Sequence, residues 1–177
     1  MDYDRGLRML KEVLEKGGIH AKTSFKGKSH LDGFNYIGIQ KSVPFSEIGP
    51  EMAKDFDTLH TQAVEKSTNP PKNWICVYPK MDMKTMMMTY IAAVSDENIG
   101  DIELSQDFVR GFIKKGPALE VTHDGSYEFL GNAWSMGMMH QRAKKLKSSD
   151  FPFEQYWNDP KESSAAKLKT SVFFPIK

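Results

Sequence analysis

The sequence predicts an α+β domain made of duplicated β-α-β-β units with pseudo-two-fold symmetry. Three observations carry this. Strand-like runs rich in aromatic and β-branched residues alternate with two amphipathic helical stretches. The order strand, helix, strand, strand occurs twice. The chain has 177 residues, 40 % of them hydrophobic, enough for a core without staples. The expected architecture is an antiparallel sheet with two main helices, a ligand cleft between the repeats and an additional N-terminal helix.

Taken in order, residues 3–16 read as a helix, with Leu7, Leu10 and Leu14 at helical spacing and Met9 and Val13 alongside. Gly17 and Gly18 end it. Residues 19–32 are polar and lysine-rich and read as a linker, so residues 1–32 form an appendage, able to pack back on the domain or to mediate self-association. The domain proper is expected over 33–177, with repeat one at 33–100 and repeat two at 101–177. FNYIGIQKSVPF (34–45) reads as a strand. The helix over 51–66 presents Met52, Phe56, Leu59 and Ala63 on one face, with Pro50 just before it and Asn69-Pro70-Pro71 beyond. NWICVYP (73–79) and MMMTYIAAV (86–94) are two strands joined by a turn.

The second repeat follows the same plan. Residues 109–125 hold two short strand runs around Pro117. A helix over 126–146 takes Ser126 as its N-cap and has basic residues in its last turns. Strands over 152–159 and 170–177 complete the unit, joined by a polar segment.

Composition narrows the function classes. A net charge of +1 gives no electrostatic case for nucleic acid or an acidic partner. The lysine-rich stretches KSHLDG and QRAKKLK read as solvated faces. The single cysteine, Cys76, rules out a disulfide within the chain and a multi-cysteine zinc site, and reads as a buried free thiol in a reducing cytoplasm. The N-terminus lacks the apolar core of a secretion signal, and no stretch has the roughly 20 apolar residues of a membrane span. The expectation is a cytoplasmic protein with no membrane contact. None of the phosphate-binding, nucleophile-elbow, zinc-protease or dinucleotide motifs occurs, and the five histidines are isolated, so neither a metal nor a cofactor is expected. Two methionine groups (Met81, Met83, Met86, Met87 and Met88; Met136, Met138 and Met139) admit three readings: core filling, an adaptable pocket lining, or a thioether site for Cu(I).

The stretch FPFEQYWNDP (151–160) sets one acid among aromatic residues. Strand alternation puts Glu154 and Tyr156 on one face, with Pro152 and Asn158, and Phe153, Gln155 and Trp157 on the other. A carboxylate among aromatic rings is either a paired surface group or an anion held for a cationic ligand. On the helix, Tyr127 and Trp134 are seven apart and share a face. Tyr90, in the last strand of the first repeat, is a candidate wall of the same cleft.

ALEVTHDGSYEFLGNAW (118–134), FPFEQYWNDP (151–160), TSVFFPIK (170–177) and the strand at 34–45 together resemble the GyrI-like effector-binding domain over about residues 33–177. That domain occurs alone and fused to the DNA-binding regions of AraC-type and MerR-type regulators. Gly125-Ser126-Tyr127 stands where Gly-Pro-Tyr is common. Residues 1–32 hold one helix and no helix-turn-helix, which suggests a stand-alone sensor with no direct nucleic-acid contact. The resemblance implies the duplicated fold and a cleft glutamate that contacts cationic aromatic ligands. It maps that glutamate to Glu154 and its aromatic companions to Tyr156 and Tyr127; Trp134 and Tyr90 complete the expected ligand-binding set. The implied function is binding of amphipathic cationic small molecules, for sensing or sequestration. Two alternatives stand beside it. One is a hydrolase of reactive cyclopropane-bearing compounds, with Glu154 as general base and Tyr156 as donor. The other is a protein-interaction module such as a gyrase inhibitor, with a homodimer or a regulatory protein as partner.

Overall fold

The computed structural model describes residues 2–18, 21–61, 71–95 and 108–177. Among these, eight strands form one antiparallel sheet: β1 (Lys22–Leu31), β2 (Phe34–Pro44), β3 (Trp74–Asp82), β4 (Met87–Ser95), β5 (Phe108–Ile113), β6 (Gly116–Asp124), β7 (Phe153–Tyr156) and β8 (Lys169–Pro175). Three α-helices accompany it: α1 (Asp2–Lys16), α2 (Ile48–Leu59) and α3 (Gly131–Ala143).

The strand order is β1-β6-β8-β7-β3-β4-β2-β5. The β7–β3 junction divides it into two equivalent halves, so the duplicated α+β fold holds. The first unit also has a leading strand, β1, that the sequence reading lacked; in the second unit the leading strand β5 is the first of the two runs expected over 109–125. β1 precedes β2 in the chain but pairs with β6, and β5 precedes β6 but pairs with β2. The two repeats therefore exchange their first strands. Residues 19–32 are corrected accordingly: Lys22–Leu31 is a strand, not a linker. Its alternation is muted because β1 is an edge with exposed Lys22, Lys26 and Lys28, the kind of charge that keeps an edge from pairing with other chains. Gly33, at φ +78°, makes the tight turn into β2.

α2 starts earlier than expected. Pro50 sits inside its first turn, where an amide N–H has no helical partner to lose. Residues 62–66, expected in this helix, and Asn69-Pro70 lie outside the described residues. α3 starts later: Ser126 accepts from the Glu128 amide and opens a short 3-10 turn, Tyr127–Phe129, before the α-helix begins. β7 is shorter than expected. Beyond Tyr156 the side chain of Asn158 bonds the backbone of Lys167 and Lys169, which takes the chain out of the sheet. Trp157, expected on one strand face with Phe153 and Gln155, is 56 % exposed, and its indole donates to Ser171.

One sheet face carries α2 and α3, each over its own half. α2 covers Ile39, Val43, Tyr90 and Ala92, and α3 covers Leu119, Val121, Val172 and Phe174. Trp134 belongs to both clusters and bridges them. The opposite face buries Tyr36, Ile75, Val77, Ile113, Ala118, Phe153 and Phe173 with no helix residue.

Candidate functional site

The two central strands, β3 and β7, run beneath the gap between α2 and α3. Their register sets Trp74 opposite Tyr156 and Cys76 opposite Glu154. Alternation sends Cys76, Tyr78, Glu154 and Tyr156 to the helix side, and Phe153 to the other core.

Glu154 is 4 % exposed. Its Oε2 accepts from the Tyr78 hydroxyl at 2.7 Å and the Tyr156 hydroxyl at 2.5 Å, and its Oε1 accepts from the Trp134 indole N–H at 2.5 Å. All three partners are neutral. Burial raises the Glu154 carboxyl above the ordinary range, and the bonds from Tyr156, Trp134 and Tyr78 pull it back down. The anion in turn makes its neighbours harder to ionise. Burial and then the Glu154 charge push Tyr127 up to about 12, and the same two causes lead for Tyr156 and Cys76.

An aromatic lattice surrounds the carboxylate. Tyr78 meets Trp134 edge-on at 4.9 Å, and Trp134 meets Phe174 at 5.4 Å. Tyr156 touches Tyr127 and Phe56, each at 5.6 Å. A cavity of about 530 Å³ opens on the far side of Tyr78 and Trp134, lined also by Met81, Met138, Asp150, Phe151 and Phe174. Tyr78 and Trp134 thus stand between the cavity and the carboxylate.

The structure brings Glu154, Tyr156, Trp134 and Tyr127 together. Tyr90 shares a packed cluster with Trp134 and Tyr156, but it is fully buried under α2 and its hydroxyl donates to Asp55 at 2.6 Å, not to Glu154. Asp55 also pairs with Lys41 at 2.6 Å. Tyr78 is the residue that sequence reasoning missed. Alternation along NWICVYP puts it on one face with Trp74 and Cys76, but only the β3–β7 register shows that this face meets Glu154. Met81 and Met138, one from each methionine group, line the cavity. Among the described residues no group of three or more His, Cys, Asp or Glu side chains is arranged to hold a metal. Among them, too, no helix is long and apolar enough to cross a membrane.

Comparison with curated proteins gives no match. Solved structures share the fold at low identity. EcmrR, solved in complex with DNA, superposes with a TM-score of 0.70 at 15 % identity over 98 % of this chain and 63 % of that one. The chain thus spans less than two thirds of that relative's length. The C-terminal domain of EcmrR gives 0.63 at 15 % identity over 90 % of this chain and 99 % of that one. SAV2435, solved bound to tetraphenylphosphonium, gives 0.64 at 13 % identity over 87 % of this chain and 94 % of that one. The profile of the GyrI-like small molecule binding domain matches residues 28–177, which takes in all of the sheet except the first six residues of β1. This chain belongs to the GyrI-like small molecule binding domain family.

Proposed function

We propose that the chain binds amphipathic, cationic aromatic small molecules in the gap between its two repeats, with Glu154 as the counter-charge. The observation that carries this is a buried carboxylate whose three partners are all neutral. An anion in a low-dielectric site is costly without a positive partner, and a cationic ligand supplies one. Tyr78 and Trp134 present ring surface to the cavity, and a cation held over aromatic rings gains up to about 2 kcal/mol when desolvated. Through their hydrogen bonds the carboxylate polarises both rings, which strengthens that attraction. Tyr156 and Tyr127 extend the aromatic surface. The chemistry of the ligand seen with the fold neighbour SAV2435, a lipophilic cation, agrees with this reading. Sensing or sequestration then rests on the binding step alone.

The test is a fluorescence titration with tetraphenylphosphonium and with triphenylphosphine oxide, an uncharged relative of similar bulk. The expected result is at least about tenfold tighter binding of the cation, equivalent to about 1.4 kcal/mol. Equal affinities overturn the assignment of charge recognition.

A further inference from the structure

α1 docks on the domain through its polar side. Arg8 pairs with Glu128 at 3.0 Å, Arg5 donates to Ser135 at 3.4 Å, and the Asn132 amide meets the Met9 sulfur at 3.7 Å. Arg5, Arg8, Met9 and Glu12 share one side of the helix by its 3.6-residue period. The apolar residues lie on the other side and face outward: Tyr3 is 79 % exposed, Leu7 49 %, Leu10 55 % and Leu14 77 %. This reverses the usual arrangement, in which the apolar stripe is buried.

The exposed stripe has the spacing of a coiled-coil seam. Steps of four, three and four separate residues 3, 7, 10 and 14, which places Leu7 and Leu14 at a, and Tyr3 and Leu10 at d. Of the flanking g positions, Gly6 is open and Val13 is 41 % exposed. The e positions hold Asp4 and Lys11, of opposite sign.

We propose that this seam is a self-association surface on which a second copy of the chain docks its own α1 in antiparallel orientation. In that orientation a meets d of the partner helix, so that Leu7 packs on Leu10 and Tyr3 on Leu14. The e positions then face each other and bring Asp4 to Lys11 at both ends. A parallel pair sets Gly6 beside Lys11 and forms no such contact; in the antiparallel form Asp4 joins the exposed 3.9 Å pair that Lys11 makes with Glu15 of its own helix, so the charge pattern favours that form. A helix of 15 residues is about 22 Å long. Two of them bury less than the ~1,200 Å² of a standard interface, so the dimer is a weak one.

Sedimentation velocity of the full chain from about 5 to about 500 µM tests this. A concentration-dependent monomer–dimer shift is expected, and its loss in Leu10→Asp. Leu14→Asp provides a second check; both side chains are solvent-exposed, and circular dichroism confirms folding. A wild-type chain that stays monomeric throughout, including one that instead captures a different protein, overturns the proposal, as does a dimer indifferent to both substitutions. Disulfide trapping reads the orientation. Tyr3→Cys mixed with Leu14→Cys is expected to cross-link, while Leu14→Cys alone is not. Self-cross-linking of Leu14→Cys alone overturns the antiparallel register. Cys76 is buried and contributes no background.

Discussion

The Trp134 indole N–H donates to Glu154 Oε1 at 2.5 Å, joining α3 to the central strand β7. Trp134 is also the side chain shared by the two helix-covered clusters. One residue therefore satisfies the buried anion, walls the cavity and links the two halves.

Trp134→Phe keeps most of the ring surface and removes that donor. The Glu154 carboxylate then has two partners instead of three, and a loss of about 1–3 kcal/mol of stability is expected from urea denaturation. Stability unchanged within error would mean that the indole bond contributes nothing net.

The pH dependence of binding follows from Glu154. Its folded-state carboxyl is raised above the ordinary 4.5, chiefly by burial. Its contribution to folding is fully present below 4.5 and is lost as pH rises through the folded value, because the anion is the costly form. A cation reverses that cost. Tetraphenylphosphonium carries no titratable group, so its affinity is expected to fall as pH drops through the raised Glu154 value. Thermal shift by the same ligand concentration at pH 8 and pH 5 checks this; a larger shift at pH 5 contradicts it.

His123 gives the opposite slope in the free protein. It is fully buried, its Nε2–H donates to the Ser126 carbonyl at 2.9 Å, and its Nδ1 accepts from Thr23 at 3.1 Å. Burial lowers its proton affinity below the ordinary 6.5. The stability it contributes is present above 6.5 and is lost as pH falls toward the lowered folded value, since the unfolded chain takes up the proton first. Denaturation midpoints are expected to drop between pH 7.5 and 5.5, and His123→Gln is expected to flatten that drop. An equal drop in the variant would assign it to other groups.

Gly137 lies in α3 against the Phe174 ring, and a Cβ there would overlap the ring. Gly137→Ala gains helix propensity but overpacks the contact, and a net loss of about 1–3 kcal/mol is expected by chemical denaturation. A stabilised variant would show that Phe174 repacks freely.

Residue type and order made the two repeats legible, because FNYIGIQKSVPF and TSVFFPIK are rich in the aromatic and β-branched residues of buried strands and α2 carries a clear apolar stripe. The exchanged strand β1 was not legible. KTSFKGKSHL has only Phe25 and Leu31 as large apolar residues, and what makes it a strand is its pairing with β6, far along the chain. The face shared by Glu154 and Tyr156 followed from strand alternation. That Tyr78 completes the group depends on register between β3 and β7, which local pattern does not encode. Tyr90 shows the converse. Its position in the last strand of repeat one pointed to the cleft, but the nearby Asp55 on α2 gives its hydroxyl a different partner.

The central claim is that Glu154 is the counter-charge for a cationic ligand, and the most direct measurement is tetraphenylphosphonium affinity in wild type and Glu154→Gln at pH 7.5. That substitution keeps the size of the side chain and removes the charge, and circular dichroism establishes that the variant is folded. The account predicts a loss of at least about tenfold in affinity. Equal affinity in the folded variant would contradict it.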